Sequence, residues 1–378
     1  AEELTARVTL DGGKKAKDPE KMLDGTVETR YESSRQKDPA IIVRCDTPIY
    51  ALYWQWGVVA ESWAIQKPVG DTWETVASGQ SGFAHEYAEL PGLIELRVVR
   101  LTDGKKQVLD ISELRAFGQG EVPAEIQRWQ PTAQKADLLV FVAHPDDEYV
   151  FMGGLLPTYA GERGYHVVVA YLTTSNVQRR SELLDGLWHA GVREYPVLGD
   201  FSDKYSSVLP DAYKYAGGER MAKRFAVDLL RTYQPEVVVS HDVKGEYGHG
   251  MHKLCADLMR YAVPKANDPK YMPKTVNATL WEVKKLYLHL WGENPVMLDW
   301  ETPLSAFGGK TALQVGEECY QLHVSQYEAH ARAKVNGVWY VFGVNSHDEY
   351  DNALFGLVSS AVGPDVAKND LMENIATQ

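Results

Sequence analysis

The stretch that decides the fold is Ala136-Asp-Leu-Leu-Val-Phe-Val-Ala-His-Pro-Asp-Asp-Glu148. Its first part, Leu138–Ala143, is continuously apolar, which predicts a strand buried on both faces within a parallel sheet. A histidine, two aspartates and a glutamate follow directly, within five residues. Because ligands of open α/β sheets bind just beyond the carboxyl ends of such strands, these side chains indicate a metal or acid–base site. A solvated polar turn is the alternative interpretation at this point.

After Ala136 the chain alternates strand-like and helix-like patterns. The apolar runs are Leu138–Ala143, Val167–Leu172, Tyr195–Leu198 and Val237–Ser240, and the helical segments between them are Gly154–Arg163, Ser181–Gly191 and Arg220–Tyr233. This order predicts a Rossmann-like α/β domain with a mostly parallel sheet. No Gly-x-Gly-x-x-Gly pattern follows the first strand, which argues against a dinucleotide site. Further along, the sequence predicts strands at Lys284–Leu290 and Val338–Phe342 and a helix at Glu317–Ala329.

Residues 1–120 show no helical period. Short alternating or apolar runs, such as Ile94–Leu101 and Ile111–Phe117, are separated by turn signals such as Asp24-Gly25. This pattern predicts a β-sandwich. Residues 121–135 are rich in Pro, Gln and Glu and predict a linker, which leaves 136–378 as the α/β domain.

Bulk composition excludes several classes of function. The net charge of -13 argues against a nucleic-acid surface, and no apolar run approaches the length of a membrane span. Three cysteines form neither a disulfide framework nor a thiolate metal motif. The chain begins at Ala1 without Met, which is typical of a processed chain and favours a secreted, periplasmic or cell-surface location.

A second polar stretch, His241–His252, follows the strand Val237–Ser240. His249 and His252 are three residues apart where a helix begins, so we expect them on one helix face. A catalytic zinc takes about three protein ligands, and His144, Asp147 and His252 would supply that set. A lone histidine is most often a satisfied or surface residue, but two polar clusters at strand ends of one domain favour a site.

Other side chains of the two clusters have candidate roles in catalysis. Asp146 would act as general base towards a zinc-activated water. His249 would stabilise an oxyanion or protonate a leaving group. Glu148 is expected to begin the following helix, where a negative charge is favoured.

The two clusters together resemble the zinc-dependent PIG-L/LmbE-like de-N-acetylase family, through Ala143-His-Pro-Asp-Asp-Glu148 and Tyr247-Gly-His-Gly-Met-His252. The resemblance implies a Rossmann-like sheet and removal of acetyl groups from N-acetylglucosaminyl-type substrates. It implies that a zinc ion (Zn2+) binds His144, Asp147 and His252, and that Asp146 is the base. His249 and Tyr247 would lie near the carbonyl oxygen, and Arg179 or Arg180 would contact the substrate.

Two departures from the family pattern stand out. Met251 occupies a position that is usually acidic and is often held to orient the catalytic histidine. Thr173-Thr-Ser-Asn176 stands where a Gly-Glu pair often follows the second strand, which bears on the predicted substrate contacts.

The first domain resembles discoidin-type, galactose-binding-like modules, through Leu23–Tyr31 and Ile111–Gly118. Such modules are jelly-roll sandwiches that often bind carbohydrate. The resemblance implies that a structural calcium ion (Ca2+) would involve Asp24, Thr29 and Glu113, oxygen ligands of the kind that calcium prefers. A module that only packs against other parts of the protein is the alternative.

The predicted function is zinc-dependent hydrolysis of the N-acetyl group of an N-acetylated amino sugar. Two alternatives remain open: a zinc amidase that acts on another acylated amine, and a non-catalytic glycan-binding protein, for which Met251 is the support. The expected partner is an N-acetylated sugar or glycan, with no nucleic acid and no membrane span.

Overall fold

A computed structural model describes residues 1–13, 16–173, 177–271, 279–330, 333–335, 338–340, 343–344 and 348–376. The chain forms two compact units, Ala1–Trp129 and Gln130–Gln378. The boundary between them falls inside the stretch predicted as a linker. Among the described residues, no helix is both long and apolar enough to cross a membrane.

The first unit is built from β-strands and short turns of 3-10 helix. Its strands are β1 (Thr9–Asp11), β2 (Tyr31–Glu32), β3 (Ala40–Trp56), β4 (Ser62–Val69), β5 (Thr72–Gly79), β6 (His85–Leu101) and β7 (Asp110–Phe117). They pair in the order β2-β7-β3-β6-β4-β5, with β1 on β3, and the pairs are antiparallel. The all-β prediction is therefore confirmed, while the jelly-roll topology stays a prediction.

Tryptophan side chains form much of the core of the first unit. Trp54, Trp56 and Trp63 are at most 4% exposed, and the rings of Trp54 and Trp63 meet edge to face with centroids 4.7 Å apart. Large aromatic rings bury much apolar surface, and edge-to-face contact is the geometry that their charge distribution favours. These three residues therefore stabilise the fold of this unit.

The second unit contains the α/β sheet. Its strands are β8 (Leu138–Val142), β9 (Val167–Thr173), β10 (Val197–Phe201), β11 (Val237–Ser240), β12 (Lys285–His289), β13 (Pro295–Met297), β14 (Ala333–Val335), β15 (Val338–Tyr340) and β16 (Leu354–Ser360). Its helices are α1 (Asp147–Val150), α2 (Val177–His189), α3 (Leu209–Tyr215), α4 (Glu219–Tyr233), α5 (Gly250–Ala266), α6 (Ala312–Gln321) and α7 (Val324–His330).

The main sheet of this unit has the order β10-β9-β8-β11-β12-β16-β13. The pairs from β10 to β12 are parallel, and β16 pairs antiparallel with β12 and β13. The prediction of a mostly parallel sheet is therefore confirmed. β8 lies in the middle with every residue buried, which accounts for its unbroken apolar sequence.

Two predicted helices differ from the structure. The segment predicted as one helix, Gly154–Arg163, instead contains a π-helical turn, Pro157–Glu162, because Pro157 has no N–H to continue an α-helical ladder. The predicted helix Glu317–Ala329 is split into α6 and α7, which end and begin on either side of Leu322 and His323. The end of the predicted strand Val338–Phe342, at residues 341–342, lies outside the described residues.

Candidate active site

The candidate site lies where β8 and β11 end. These strands are parallel neighbours, with Phe141 opposite Ser240, so the segments that follow them begin side by side. His144 and Asp147 come from the first segment, and His252 comes from α5 in the second. The ligand atoms of these three side chains lie within 4.8 Å of one another, and all three residues are buried. The fold thus brings together the three predicted zinc ligands.

Asp147 is the negative centre of the cluster. Its Oδ2 accepts a hydrogen bond from the backbone N–H of His144 at 2.8 Å and lies 3.2 Å from Nδ1 of the same residue. Its Oδ1 lies 3.4 Å from Nε2 of His252. Burial alone would raise the pKa of Asp147, but the facing imidazoles of His252 and His144 hold that pKa well below its usual value. Asp147 is therefore ionised, as a metal ligand must be.

The neighbouring carboxylates favour the protonated form of His144. Burial alone would lower the pKa of His144, but the carboxylates of Asp147 and Asp203 outweigh burial and raise the pKa to about 10. Oδ1 of Asp203 lies 3.2 Å from Nε2 of His144. Sequence reasoning missed Asp203, although its place just after β10, at the same sheet edge, was a usable signal. A cation bound among these side chains would take the place of the proton on the imidazole.

His252 provides the observation that tests whether a metal fits. Its Nδ1 lies 2.8 Å from a carboxylate oxygen of Glu246. Its Nε2 is buried and has no hydrogen-bond partner among the residues that the structure describes. A buried polar atom without a partner is costly, and a metal would satisfy it. Two imidazoles and one carboxylate are also the donor set that catalytic zinc prefers, so the residues fit zinc.

Glu246, which sequence reasoning did not single out, lies behind the histidines. It is fully buried, and its carboxylate faces Nδ1 of His241, His252 and His289 at 2.8, 2.8 and 2.6 Å. Burial would raise the pKa of Glu246, but the three imidazoles hold it well below its usual value. Only its place between a strand end and the second histidine cluster could have drawn attention to it.

His249 is placed differently from the prediction. It precedes α5 as the N-cap with an extended backbone (φ −65°, ψ 127°), so it does not share a helix face with His252. The two rings still pack together, with centroids 4.8 Å apart. Nδ1 of His249 accepts a hydrogen bond from the backbone N–H of Met251 at 3.2 Å. That bond orients the ring without an acidic side chain at position 251.

The hydrogen bond from Met251 also decides which nitrogen of His249 can donate. Because Nδ1 accepts, the hydrogen of the neutral ring is on Nε2. Burial, together with the nearby rings of His252 and His144, lowers the pKa of His249. The side chain is therefore suited to donate a hydrogen bond as a neutral imidazole.

Asp146 adjoins the ligands and has an unusual backbone. Its φ of 118° is rare outside glycine. Burial raises the pKa of Asp146 to about 6, and the guanidinium of Arg179 opposes that rise. Nη2 of Arg179 lies 3.4 Å from Oδ1 of Asp146 and donates to the carbonyl of Pro145 at 2.6 Å. Arg179 is thus placed at the site, while Arg180 is half-buried on the same helix, α2.

Glu148 is the second residue of α1 and lies in its first turn, close to the predicted place, but its side chain is not at an exposed helix start. Its side chain is fully buried. Oε2 accepts a hydrogen bond from the backbone N–H of Asp146 at 2.8 Å, and Oε1 accepts one from the hydroxyl of Tyr171 at 2.6 Å. Glu148 therefore holds the positive-φ backbone that aims Asp146.

Two tyrosines border the histidines. The ring centroid of Tyr247 lies 5.5 Å from that of His249 and 5.3 Å from that of His252. Tyr205, which sequence reasoning missed, is 61% exposed and its ring lies 5.1 Å from that of His249. The predicted residue Tyr247 is thus at the site, and Tyr205 adds an accessible aromatic face beside it.

The calcium residues predicted in the first unit are near one another. The hydroxyl of Thr29 donates to Oδ2 of Asp24 at 2.5 Å. Burial and the neighbouring Asp24 raise the pKa of Glu113 to about 7. No observation supports a calcium ion there, so this assignment stays a prediction. Residues 174–176, where the sequence departs from the Gly-Glu pair of the family pattern, lie outside the described residues.

Part of the second unit matches a known protein family. Residues 139–263 match the family model described as PIG-L: GlcNAc-PI de-N-acetylase. The matched range contains both polar clusters, from His144 to His252. Within the second unit, these residues are therefore similar to the PIG-L family.

Curated proteins similar to this chain include two bacterial proteins named as 1D-myo-inositol 2-acetamido-2-deoxy-alpha-D-glucopyranoside deacetylases. The one from Catenulispora acidiphila is 28% identical over 186 residues, which cover 42% of this chain and 56% of the relative. The one from Nocardiopsis dassonvillei is 31% identical over 173 residues, covering 38% of this chain and 59% of the relative. The chain thus spans between half and two thirds of the length of these relatives.

Solved structures similar to the chain include N,N'-diacetylchitobiose deacetylase from Pyrococcus horikoshii. Its TM-score is 0.38 at 19% identity, over 51% of this chain and 71% of that chain. Another is the family 32 CBM from C. perfringens NanJ in complex with galactose. Its TM-score is 0.24 at 12% identity, over 30% of this chain and 95% of that chain.

Proposed function

We propose that the protein hydrolyses the N-acetyl group of an N-acetylated amino sugar and releases acetate, with zinc held by His144, Asp147 and His252. The observation that carries the proposal is the convergence of this donor set with the partly buried carboxyl of Asp146 at one sheet edge. The names of the curated relatives, which describe deacetylases of a 2-acetamido sugar, support the same substrate class.

Zinc bound to these ligands would polarise the amide carbonyl and lower the pKa of a coordinated water towards neutrality. Asp146 takes a proton from the attacking water, and its pKa of about 6 suits a general base that works near neutral pH. Asp146 then returns that proton to the nitrogen of the departing amine. Water and amide are consumed, and acetate and the free amino sugar are formed.

His249 is placed to donate a hydrogen bond to the negative charge that develops on the carbonyl oxygen. Its Nε2–H is free to donate because Nδ1 is engaged by the backbone N–H of Met251. A donor fixed in advance stabilises an oxyanion more in the transition state than in the ground state. The same bond weakens the case for a non-catalytic protein, since Met251 leaves His249 oriented.

A panel of acylated substrates tests this proposal. Zinc-loaded protein should release acetate from N-acetylglucosamine or N-acetylgalactosamine conjugates. Replacing Asp146→Asn should lower kcat on the order of 10³-fold, within the range found for general bases, while zinc stays bound. The matched control is Asp299→Asn, because Asp299 is exposed and its carboxylate caps a local turn through Glu301 N–H.

Two results would overturn the proposal in different ways. Full acetate release by the Asp146→Asn protein would remove Asp146 from the mechanism. Cleavage of other acylated amines with no acetate from any amino sugar would leave the amidase chemistry and reject the substrate class.

A further inference from the structure

Glu246 connects segments that are far apart in the chain. It lies on a short 3-10 turn, Glu246–Gly248, after β11. His241 directly follows the same strand, His252 is on α5 and His289 ends β12. Oε2 of Glu246 faces both His241 and His252, and Oε1 faces His289 and accepts from the backbone N–H of Asp242 at 3.2 Å. One carboxylate therefore sets the orientation of three imidazoles.

For His241 and His252, the carboxylate also decides which ring nitrogen carries hydrogen. His289 differs, because its Nε2 faces the carbonyl oxygen of Asp351 at 3.0 Å and must donate as well. An ionised carboxylate only accepts hydrogen bonds, so each Nδ1 that faces Glu246 must donate. In a neutral imidazole this leaves the lone pair on Nε2, the form in which histidine binds a metal. His252 has that arrangement, with Nε2 buried, without a hydrogen-bond partner among the described residues, and 3.4 Å from Oδ1 of Asp147.

A comparison of His241 with His252 shows why only the second has an Nε2 lone pair available to a metal. The rings of His241 and His252 stack with centroids 4.1 Å apart, and Nδ1 of each faces the same oxygen of Glu246. Nε2 of His241, however, accepts a hydrogen bond from the backbone N–H of Ala143 at 3.1 Å. Its lone pair is thereby engaged, whereas the lone pair of His252 is not. His241, Glu246 and His252 are joined by their own hydrogen bonds and so do not form a second metal site.

We propose that Glu246 is a positioning residue for zinc binding, which holds His252 with Nε2 aimed at the metal and reserves His241 as its support. The inference rests on the proposed function only in taking the metal to be zinc, and it does not depend on which reaction the protein catalyses. Carboxylates that accept from the distal N–H of a metal-bound histidine commonly raise metal affinity in this way. Glu246 differs from a generic partner because it acts on several histidines at once.

The direct test is zinc affinity, measured by competition with a chromogenic chelator. In Glu246→Gln, one oxygen becomes an NH2 donor, which cannot accept from the imidazole N–H that it meets. We expect the zinc Kd to rise on the order of 10- to 100-fold, the usual effect of losing such a partner. Glu182→Gln is the matched control, because Glu182 is also buried and accepts hydrogen bonds from Ser325 N–H and Oγ at 3.0 and 2.6 Å. Its zinc Kd should equal that of the wild type.

A measurement on the wild type keeps the inference testable if Glu246→Gln fails to fold. Histidine-selective ¹⁵N NMR of the zinc-loaded protein should show His252 with hydrogen on Nδ1 and the metal on Nε2, and His241 with hydrogen on Nδ1 and no metal. The opposite assignment for His252 would overturn the inference, as would an unchanged Kd in folded Glu246→Gln.

The outcomes also separate this inference from the proposed function. Zinc binding that weakens in Glu246→Gln, without acetate release from any sugar, would reject the function and leave the role of Glu246 intact. A wild-type chain that binds no zinc would overturn both.

Discussion

The two units bury carboxylates in opposite electrostatic surroundings. In the first unit, Glu86 is 4% exposed, and burial raises its pKa to about 7. Burial also raises the pKa of Asp110, which is fully buried, although Nη1 of Arg30 lies 3.5 Å from its Oδ2 and opposes that rise. In the second unit, Asp147 and Glu246 are buried as deeply, yet facing imidazoles hold their pKa values well below the usual range.

The difference shows that burial by itself does not mark a functional carboxylate. A buried acid whose burial outweighs any nearby positive charge tends to become neutral, and it then contributes to the fold as an uncharged group. A buried acid surrounded by imidazoles keeps its charge, and such a cluster can exchange protons for a metal ion. The predictions below alter one side of this contrast at a time.

The largest effect is expected from Asp147→Asn, which removes the charge that His144 and His252 share. Without it the protein should lose bound zinc, and acetate release should fall by about 10³-fold or more, since the metal contributes several kcal/mol to such reactions. Zinc content by mass spectrometry and kcat would be measured together. Asp110→Asn removes a buried acid of the first unit and should leave both unchanged; zinc retained by Asp147→Asn would contradict the assignment.

An intermediate effect is expected from Glu86→Gln, through stability. Because burial raises the folded-state pKa of Glu86 to about 7, above its unfolded value, stability falls as pH rises from about 4.5 to about 7 and is then constant. Glutamine stays uncharged, so the variant should lack this slope and be more stable at pH 8 by ~3 kcal/mol. Hydrogen exchange of β3 and β6 amides at pH 5 and pH 8 would measure this.

The control for this experiment is Glu89→Gln, an exposed glutamate on the same strand, β6. It should leave exchange rates unchanged at both pH values. If Glu86→Gln protects the strands no better than the wild type at pH 8, then Glu86 is not neutralised by burial.

The smallest effect is expected from Glu148→Gln, which tests a buried acid that acts through the backbone. One of its oxygens accepts from Asp146 N–H and the other from the Tyr171 hydroxyl. Glutamine can replace only one acceptor, so the aim of Asp146 should loosen and kcat should fall about 10-fold, a change of about 1.4 kcal/mol. Zinc content and KM should stay near wild type. A fall in zinc content with unchanged kcat per bound zinc would assign Glu148 to metal retention instead.

Local patterns in the sequence were sufficient for the parallel strands of the sheet and for half of the site, but not for β13 and β16. The run Val237–Ser240 coincides with β11, and Leu138–Ala143 differs from β8 by one residue, because strands buried on both faces need unbroken apolar sequence. The end of that apolar run also marked the group of His144, Asp146 and Asp147 as the residues directly after β8. The spacing argument for His249 and His252 was wrong, because an N-cap residue lies outside the helix whose face it was expected to share.

What the sequence determined by itself is which residue types end the two central strands, since strand order and side-chain chemistry are local properties of the chain. What the tertiary structure decided is which of those residues meet. Asp203 reaches His144 from the segment after β10, and Glu246, which follows β11, reaches His289 at the end of β12. These partners are 59 and 43 residues apart in the chain. Only the packing of parallel strands into one sheet edge brings them within hydrogen-bond distance, and no periodicity in the sequence encodes that contact.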